Sequence, residues 1–343
     1  MNAGAVPKPA KDDFDIALIE GARCAVQDVY RQLRQAEELF YAGTLATVGT
    51  GTAFMDRVCP LCAADACLPF MEARGLRIVR CASCAHVYSR NVYRPDLDAR
   101  MYNMAGADMW PAYLKMKAHP LLAKVERLRN HYYLNACERY STIGRLLDIG
   151  SGNGSLLCQA VERGWQVLGL DPNPVWQGVT PDLGIKPRLG SFPGDLAAGE
   201  RFEAIAMLDV LEHMVDPAGF LASSRPHLAA GGIVFVQVPN LNSLLLRLEG
   251  SANNNFCPGH WSHFDADALS RLADACGFET LWTETVISEL DRVLAFAPEQ
   301  VAAAASSLAK ASLRKAADLT PAWMHRHLLG YKLVSILRVK AGR

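Results

Sequence analysis

The chain has 343 residues, half of them hydrophobic, and its 35 basic and 35 acidic side chains leave a formal net charge of zero. Such a length supports one full α/β domain plus a smaller one. Balanced charge with no Lys/Arg run argues against nonspecific capture by nucleic acid or by an anionic membrane.

The N-terminus carries no basic region followed by an apolar core, and no stretch of about 18 apolar residues is available to span a bilayer. A cytoplasmic protein with no membrane partner is expected, whose 10 cysteines serve as thiols or metal ligands rather than disulfides. Residues 1–13 are small, polar and proline-containing, and read as disordered. Over residues 14–41, apolar side chains fall at Ile19, Ala22, Val26, Val29, Leu33, Ala36 and Phe40. Steps of three and four predict a helix with one apolar stripe, to be covered either by the chain itself or by a second copy in a homodimer. The Gly/Thr-rich residues 43–52 read as a linker.

Cys59 with Cys62, and Cys81 with Cys84, make two Cys-x-x-Cys knuckles that can supply four thiolates in a tetrahedron, as a structural zinc ion requires. Residues 76–79 between them read as a strand of a zinc ribbon. Four sulfur ligands fill the shell, so this metal would hold the fold and leave no position for water or substrate. Cys67 and His86 lie near by and are expected to stay outside the shell. Residues 96–140 read as helical, with Pro111 and Pro120 marking starts or breaks. Their side chains Tyr102, Met104, Met109, Trp110, Tyr113, Tyr132 and Tyr133 suit either a core or a lid over a substrate.

Residues 145–171 organise the rest of the chain. Leu146, Leu147 and Ile149 make a short apolar strand, glycines at 150, 152 and 154 let the backbone turn tightly, and a helix begins near Ser155. A second strand ends in Asp171, 21 residues after Gly150, where a nucleotide-binding unit places the acid that grips a ribose. Ser155 stands where the dinucleotide fingerprint has its third glycine, and the Gly-Lys-Ser/Thr of a P-loop is absent. Asp148 would repel a pyrophosphate but attract a ligand bearing an ammonium and a sulfonium, so the loop reads as a site for S-adenosylmethionine. Further strands are expected near 185–189, 204–208, 232–238, 279–286 and 331–339. Helices are expected at 217–228, capped by Asp216, and at 265–276, ended by Gly277. The Ala-rich residues 298–318 read as a helical insertion able to cap a site. This alternation predicts a mostly parallel sheet with helices on both faces.

Together the runs LLDIGSGNGSLL, GLDPNP, FEAIAMLDVLEHMVDP, LAAGGIVFVQVPN and PGHWSHFDADALSRLADACGFE resemble the successive motifs of class I S-adenosylmethionine-dependent methyltransferases. The likeness is strongest to the bacterial small-molecule branch with DVLEH after the fourth strand. AHVYSRNVY, after the second knuckle, is similar to the zinc-ribbon extensions of some of these enzymes. The resemblance implies an α/β fold, a Rossmann-like doubly wound sheet of seven strands with the last antiparallel, over 141–343, carrying the insertion near 298–328. Ahead of it would lie a tail, helix and linker (1–52), the zinc-ribbon module (53–95) and a helical lid or connector (96–140). It also implies that Gly150, Ser151, Gly152 and Gly154 approach the methionyl part, supported by Asp148, and that Asp171 takes the ribose hydroxyls. Pro172, Asn173, Ser191 and Phe192 would border the adenine, with Leu208 and Asp209 beside the cofactor.

Methyl transfer from a sulfonium is an in-line displacement that needs the nucleophile about 3 Å from the methyl carbon; the cofactor supplies the reactivity. Ligands of an open parallel sheet sit beyond the C-terminal strand ends, which puts Asp209, Glu212, His213, His260 and His263 beside the methyl group. His260 is the leading base, since imidazole accepts a proton near neutral pH and this histidine matches the family segment. Shaping the pocket is its competing role, and the favoured one for His213. Asp209-Val-Leu-Glu212-His213 also resembles the metal-binding Glu-x-x-Glu-His of some quinone-precursor O-methyltransferases, so a catalytic Mg²⁺ is the lesser alternative to a metal-free base. The favoured activity is O-methylation of a small-molecule acceptor such as a sugar, polysaccharide or secondary metabolite. An RNA methyltransferase is disfavoured by the charge balance and by the missing Asn/Asp-Pro-Pro-Tyr/Phe motif. A noncatalytic module is disfavoured by the intact glycine loop.

Overall fold

The computed structural model describes residues 11, 15, 17–48, 53–98, 109–178, 185, 187–309, 313 and 315–341. The expected disorder of 1–13 falls almost wholly outside them, as do Tyr102 and Met104. Helix α1 spans Ala17–Val48, so residues 43–48 are helical rather than linker. Leu45 and Ala46 are strong helix formers and carry the helix across Gly43, at a cost of about 1 kcal/mol for that glycine. Val26, Val29 and Leu33 of its stripe are buried, and α1 packs on α2 (Met109–Lys117). At these positions the chain itself covers the stripe. Pro111 lies inside α2, in its first turn, where a missing N–H costs nothing. Pro120 opens α3 (Pro120–Tyr140).

The cysteine module contributes β1 (Phe54–Asp56), β2 (Cys67–Ala73), β3 (Leu76–Cys81), β4 (Val87–Ser89) and β5 (Asn91–Tyr93). β2 and β3 are joined by Arg74-Gly75, with φ of 48° and 81°, the left-handed pair that a two-residue hairpin turn of type I′ requires.

The main sheet is built from β6 (Arg145–Ile149), β7 (Gln166–Asp171), β8 (Arg188–Leu189), β9 (Phe202–Leu208) and β10 (Leu228–Pro239), all parallel. Beyond a two-residue strand β11 (Ser262–His263) come β12 (Phe278–Val286) and β13 (Lys332–Val339), and β13 inserts antiparallel between β10 and β12. The spatial order is β8-β7-β6-β9-β10-β13-β12, the seven-strand arrangement expected. Side chains alternate across it as a strand dictates. Leu147, Ile205, Val234 and Val236 face Leu269 and Leu272 on one side. On the other, Leu146, Ala204, Phe235 and Ile336 meet Tyr133 and Leu157.

The helix expected at 217–228 is shorter. α4 (Ser155–Glu162) is followed by α5 (Pro217–Ala222), where Asp216 Oδ1 accepts from Gly219 N at 2.9 Å, but β10 already begins at Leu228. Ser223 and Ser224 turn their hydroxyls onto Phe220 O and Leu221 O, at 2.7 Å each, and Pro226 has no N–H, so continuation is disfavoured. After α6 (Leu244–Glu249), α7 (Ala266–Ala275) is capped by Asp265, whose side chain accepts from Ala268 N, and ends before Gly277 at φ 80°, as expected. The Ala-rich segment forms α8 (Pro298–Ala309), which packs through Val301 and Ala305 in one apolar cluster with Leu244, Leu245 and Met324. No helix among the described residues is long and apolar enough to cross a membrane.

Candidate functional site

After β6 the chain turns through Gly150, Gly152 and Gly154, with φ of 72°, 53° and 75°, a region only glycine enters without strain. Gly150 N and Ser151 N both donate to Leu170 O, at 2.8 and 3.2 Å, tying the loop to the end of β7. Asp171 completes it: Oδ2 accepts from Gly152 N at 2.9 Å and Oδ1 from Asn173 N at 2.8 Å. The acid expected at the ribose therefore also shapes the loop. Burial raises its pKa. Asp148 is 3% exposed and is pushed up to about 8 by burial and by Asp171. It keeps a proton near neutral pH, and a cation arriving beside it would favour its charged form.

Trp176 adds to the residues expected here. Its ring lies 3.8 Å from where a Cβ at Gly152 would stand, and it makes edge contacts with Trp110 and Tyr113 of α2 at centroid distances of 6.0 and 5.8 Å. An aromatic residue five positions after Asp171 is the available signal. Asn173 is buried and Pro172 half-buried beside the loop. Phe192, expected at the adenine, instead packs in the core against Phe220 and His227. A phenyl ring gains more from full burial than from a water-filled cleft. Ser191 is exposed, its N–H held by Asp195 Oδ2 at 2.7 Å.

The other half of the site lies beyond β9 and β10. Leu208 ends β9 half-buried. Asp209, at φ 56°, receives Lys332 Nζ at 2.8 Å and Gln237 Nε2 at 2.9 Å, while Tyr133 OH donates to Gln237 Oε1. Burial opposes its charge, but Lys332, Arg129 and the bond from Gln237 together hold the carboxyl below its ordinary range. A lone Gln in the apolar run of β10 is the sequence signal for this anchor; Lys332 has none.

Glu212 and His213 lie in a single 3-10 turn, Leu211–His213. The Glu212 side chain is buried, neither carboxylate oxygen has a hydrogen-bond partner among the described residues, and burial together with Asp209 raises its pKa well above the usual range. His213 Nδ1 stands 2.9 Å from Gly259 O, and His260 Nδ1 3.1 Å from Asn255 O. A carbonyl only accepts, so each Nδ1 carries the proton and Nε2 is left as the basic nitrogen. The two rings meet edge-on at 4.7 Å. One ligand atom from each of Glu212, His213 and His260 falls within 4.8 Å of the others. Burial lowers His213 to about 4 and His260 well below its usual value, so both are neutral at pH 7. Asp209 and His263 do not join them. Asp209 is committed to Lys332, and His263 sits in β11 against Phe256, 5.1 Å between ring centroids.

The sulfurs of Cys59, Cys62, Cys81 and Cys84 also gather within 4.8 Å, with Cys59–Cys84 at 3.6 Å and Cys62–Cys81 at 3.5 Å. A tetrahedron of roughly 2.3 Å metal–sulfur bonds has edges of about 3.8 Å, so the four can hold one ion. As expected, Cys67, opposite Cys81 in the β2–β3 register, and His86, buried beside Tyr88 and Phe264, stay outside.

A family model described as a methyltransferase domain matches residues 118–283. A ubiquinone biosynthesis O-methyltransferase of Cereibacter sphaeroides is 34% identical over 104 residues, covering 29% of this chain and 42% of that one. Its counterpart from a Methylobacterium species is 32% identical over 114 residues, covering 31% and 46%. The chain thus spans less than half the length of these curated relatives. Among solved structures, a magnesium protoporphyrin IX methyltransferase from Synechocystis aligns at a TM-score of 0.45 with 14% identity, over 72% of this chain and 100% of that one. An S-adenosylmethionine-dependent methyltransferase from Archaeoglobus fulgidus gives 0.46 and 16%, over 66% and 98%. Residues 118–283 thus match a methyltransferase-domain model, lie on a seven-strand sheet with a glycine loop, and are preceded by a four-cysteine cluster compatible with a zinc ribbon.

Proposed function

We propose that the protein methylates a hydroxyl of a small-molecule acceptor, such as a sugar, polysaccharide end or secondary metabolite, with S-adenosylmethionine as donor and His260 as base. The observation that carries this reading is that the glycine loop with Asp171 and the turn carrying Glu212 and His213 leave the same ends of neighbouring parallel strands β6 and β9, Gly150 lying against Val210, with His260 clustered on that turn. When bound, the cofactor supplies an electrophilic methyl group on a sulfonium. Gly150 to Gly154 would cradle its methionyl part, Asp148 would face its ammonium and Asp171 its ribose. His260 Nε2, its lone pair fixed by the Nδ1 bond to Asn255 O, takes the acceptor proton as the oxygen attacks, and later returns it to solvent. The four thiolates would hold a structural zinc ion. Calorimetric titration with S-adenosylhomocysteine tests the cofactor half, and its failure to bind would sink the proposal. Labelled cofactor with an acceptor panel then tests the rest: His260→Gln should abolish transfer while leaving S-adenosylhomocysteine affinity unchanged.

A second reading is favoured by Glu212, whose carboxylate has no hydrogen-bond partner among the described residues. Two imidazoles and a carboxylate suit Mn²⁺, Fe²⁺ or Zn²⁺ better than the Mg²⁺ that the sequence offers as the lesser alternative. Titration with Mn²⁺ followed by electron paramagnetic resonance decides between them, since no binding leaves His260 as a metal-free base.

A further inference from the structure

The Glu212–His213–His260 cluster is not held by the methyltransferase domain alone. Its neighbour Trp261 donates its backbone N–H to Glu212 O at 2.7 Å, and the Trp261 carbonyl accepts from Ser89 N of β4 at 2.9 Å. Ser89 Oγ donates to His260 O at 3.3 Å. From there β11 continues as an extra strand on β4, Ser262 opposite Tyr88 and His263 opposite Val87.

Arg57, two residues before Cys59, ties three segments together. Its guanidinium donates to Ser89 O at 3.0 Å, to Val215 O at 2.7 Å and to Trp261 O, and lies 5.5 Å from the centroid of the Tyr88 ring. Ser89 belongs to the cysteine module, Val215 comes just after the turn carrying Glu212 and His213, and Trp261 adjoins His260. The second knuckle sets β4 itself: Cys81 N donates to His86 O at 2.8 Å, and Ala85 N to Cys81 O at 3.0 Å, so the backbone at Cys81 is bonded to the residues that lead into Val87. The glycine loop, by contrast, is fastened to β7 and Asp171.

We propose that the four-cysteine module is a positioning element for the acceptor side of the site, and that Arg57 and Ser89 are the positioning residues through which it keeps Glu212 and His260 in register. The cofactor side does not depend on this link. An ion bound by the four thiolates would fix the knuckle, the knuckle β4, and β4 the two segments that approach the acceptor. A module that only added bulk stability would weaken both halves together. The metal arm of the test rests on the zinc reading above; the variant arms do not.

The full chain is compared with Arg57→Met, Arg57→Lys and Ser89→Ala by hydrogen exchange, by ring-proton magnetic resonance of the histidines across pH, and by calorimetry with S-adenosylhomocysteine. In Arg57→Met the Trp261 amide should exchange at least tenfold faster. His213 and His260 should titrate closer to an ordinary histidine as water reaches them. Affinity for S-adenosylhomocysteine should stay within threefold, and Arg57→Lys should restore part of the histidine behaviour. If Arg57→Met does not fold, Ser89→Ala removes only the bond to His260 O and should move the His260 resonance alone. Stripping the zinc with a chelator should reproduce Arg57→Met. Unchanged histidine titration in both Arg57→Met and Ser89→Ala overturns the proposal, as does a parallel loss of S-adenosylhomocysteine affinity beyond threefold. Protein purified without zinc would refute the zinc reading while leaving Arg57 and Ser89 to decide the positioning.

Discussion

Replacing Asp171 with Ala separates its two tasks. The carboxylate accepts Gly152 N at 2.9 Å and Asn173 N at 2.8 Å, and its loss strands both donors in a largely buried place. A buried unpaired donor costs about 1–3 kcal/mol, so the variant should lose roughly 2–6 kcal/mol of stability if the loop cannot relax. The same carboxylate is proposed to bond the ribose, and a charged hydrogen bond contributes about 1.5–3 kcal/mol. That corresponds to a weakening of about 10- to 150-fold. Calorimetry with S-adenosylhomocysteine at a temperature well below the variant's melting point measures the second effect, and thermal unfolding the first. Asp171→Asn keeps one acceptor oxygen and should fall between the two. Affinity within twofold of the parent in Asp171→Ala would refute the ribose contact, whatever happens to stability.

Cys59→Ser should release bound zinc, seen by elemental analysis, and lower the melting point of the module; retained zinc at full stability would remove the ribbon assignment. Lys332→Met leaves the Asp209 carboxylate without its cation. Breaking a buried pair costs about 3–5 kcal/mol, and partial exposure reduces this to about 2 kcal/mol; Asp209→Asn in the same chain should recover most of it, and no recovery would show that the pair is not the cause. His263 sets a pH dependence with a definite sign. The unfolded chain protonates it near pH 6.5, whereas burial delays this in the folded chain to about 3. Between those values the unfolded state binds more protons, so stability falls as pH falls. His263→Gln should therefore flatten the decline in melting point from pH 6.5 to 4.5, and equal slopes would contradict it.

The cofactor half of the site is legible in the sequence because its parts are neighbours in the chain. Asp148, the three glycines and Asp171 fall on one strand, turn, helix and strand, and the spacing itself encodes the geometry. The proposed acceptor half is legible only as residue types. Glu212, His213 and His260 stand out by their chemistry, but what holds them comes from afar: Lys332 lies 123 positions from Asp209, and Arg57 lies 204 from Trp261. No local periodicity reports such pairs, so sequence alone groups Asp209 with the ligand-like residues and His263 with the bases. Local competition accounts for the smaller differences. Two serine hydroxyls and Pro226 end α5 early, and core packing claims Phe192.

The pairing of β11 with β4 also dictates when the site can be completed. The glycine loop needs contacts spanning about one strand–helix–strand unit, and such local structure forms early and fast. The bond from Ser89 to His260 closes a separation of 171 positions, and loop closure over such lengths must be met before the contact rewards it. During synthesis, the cysteine module emerges long before its last strand exists. Until residue 263 has been synthesised, β4 remains an open edge of its sheet, and the turn carrying Glu212 and His213 waits for His260 long after the strand–helix–strand unit with the glycine loop is made.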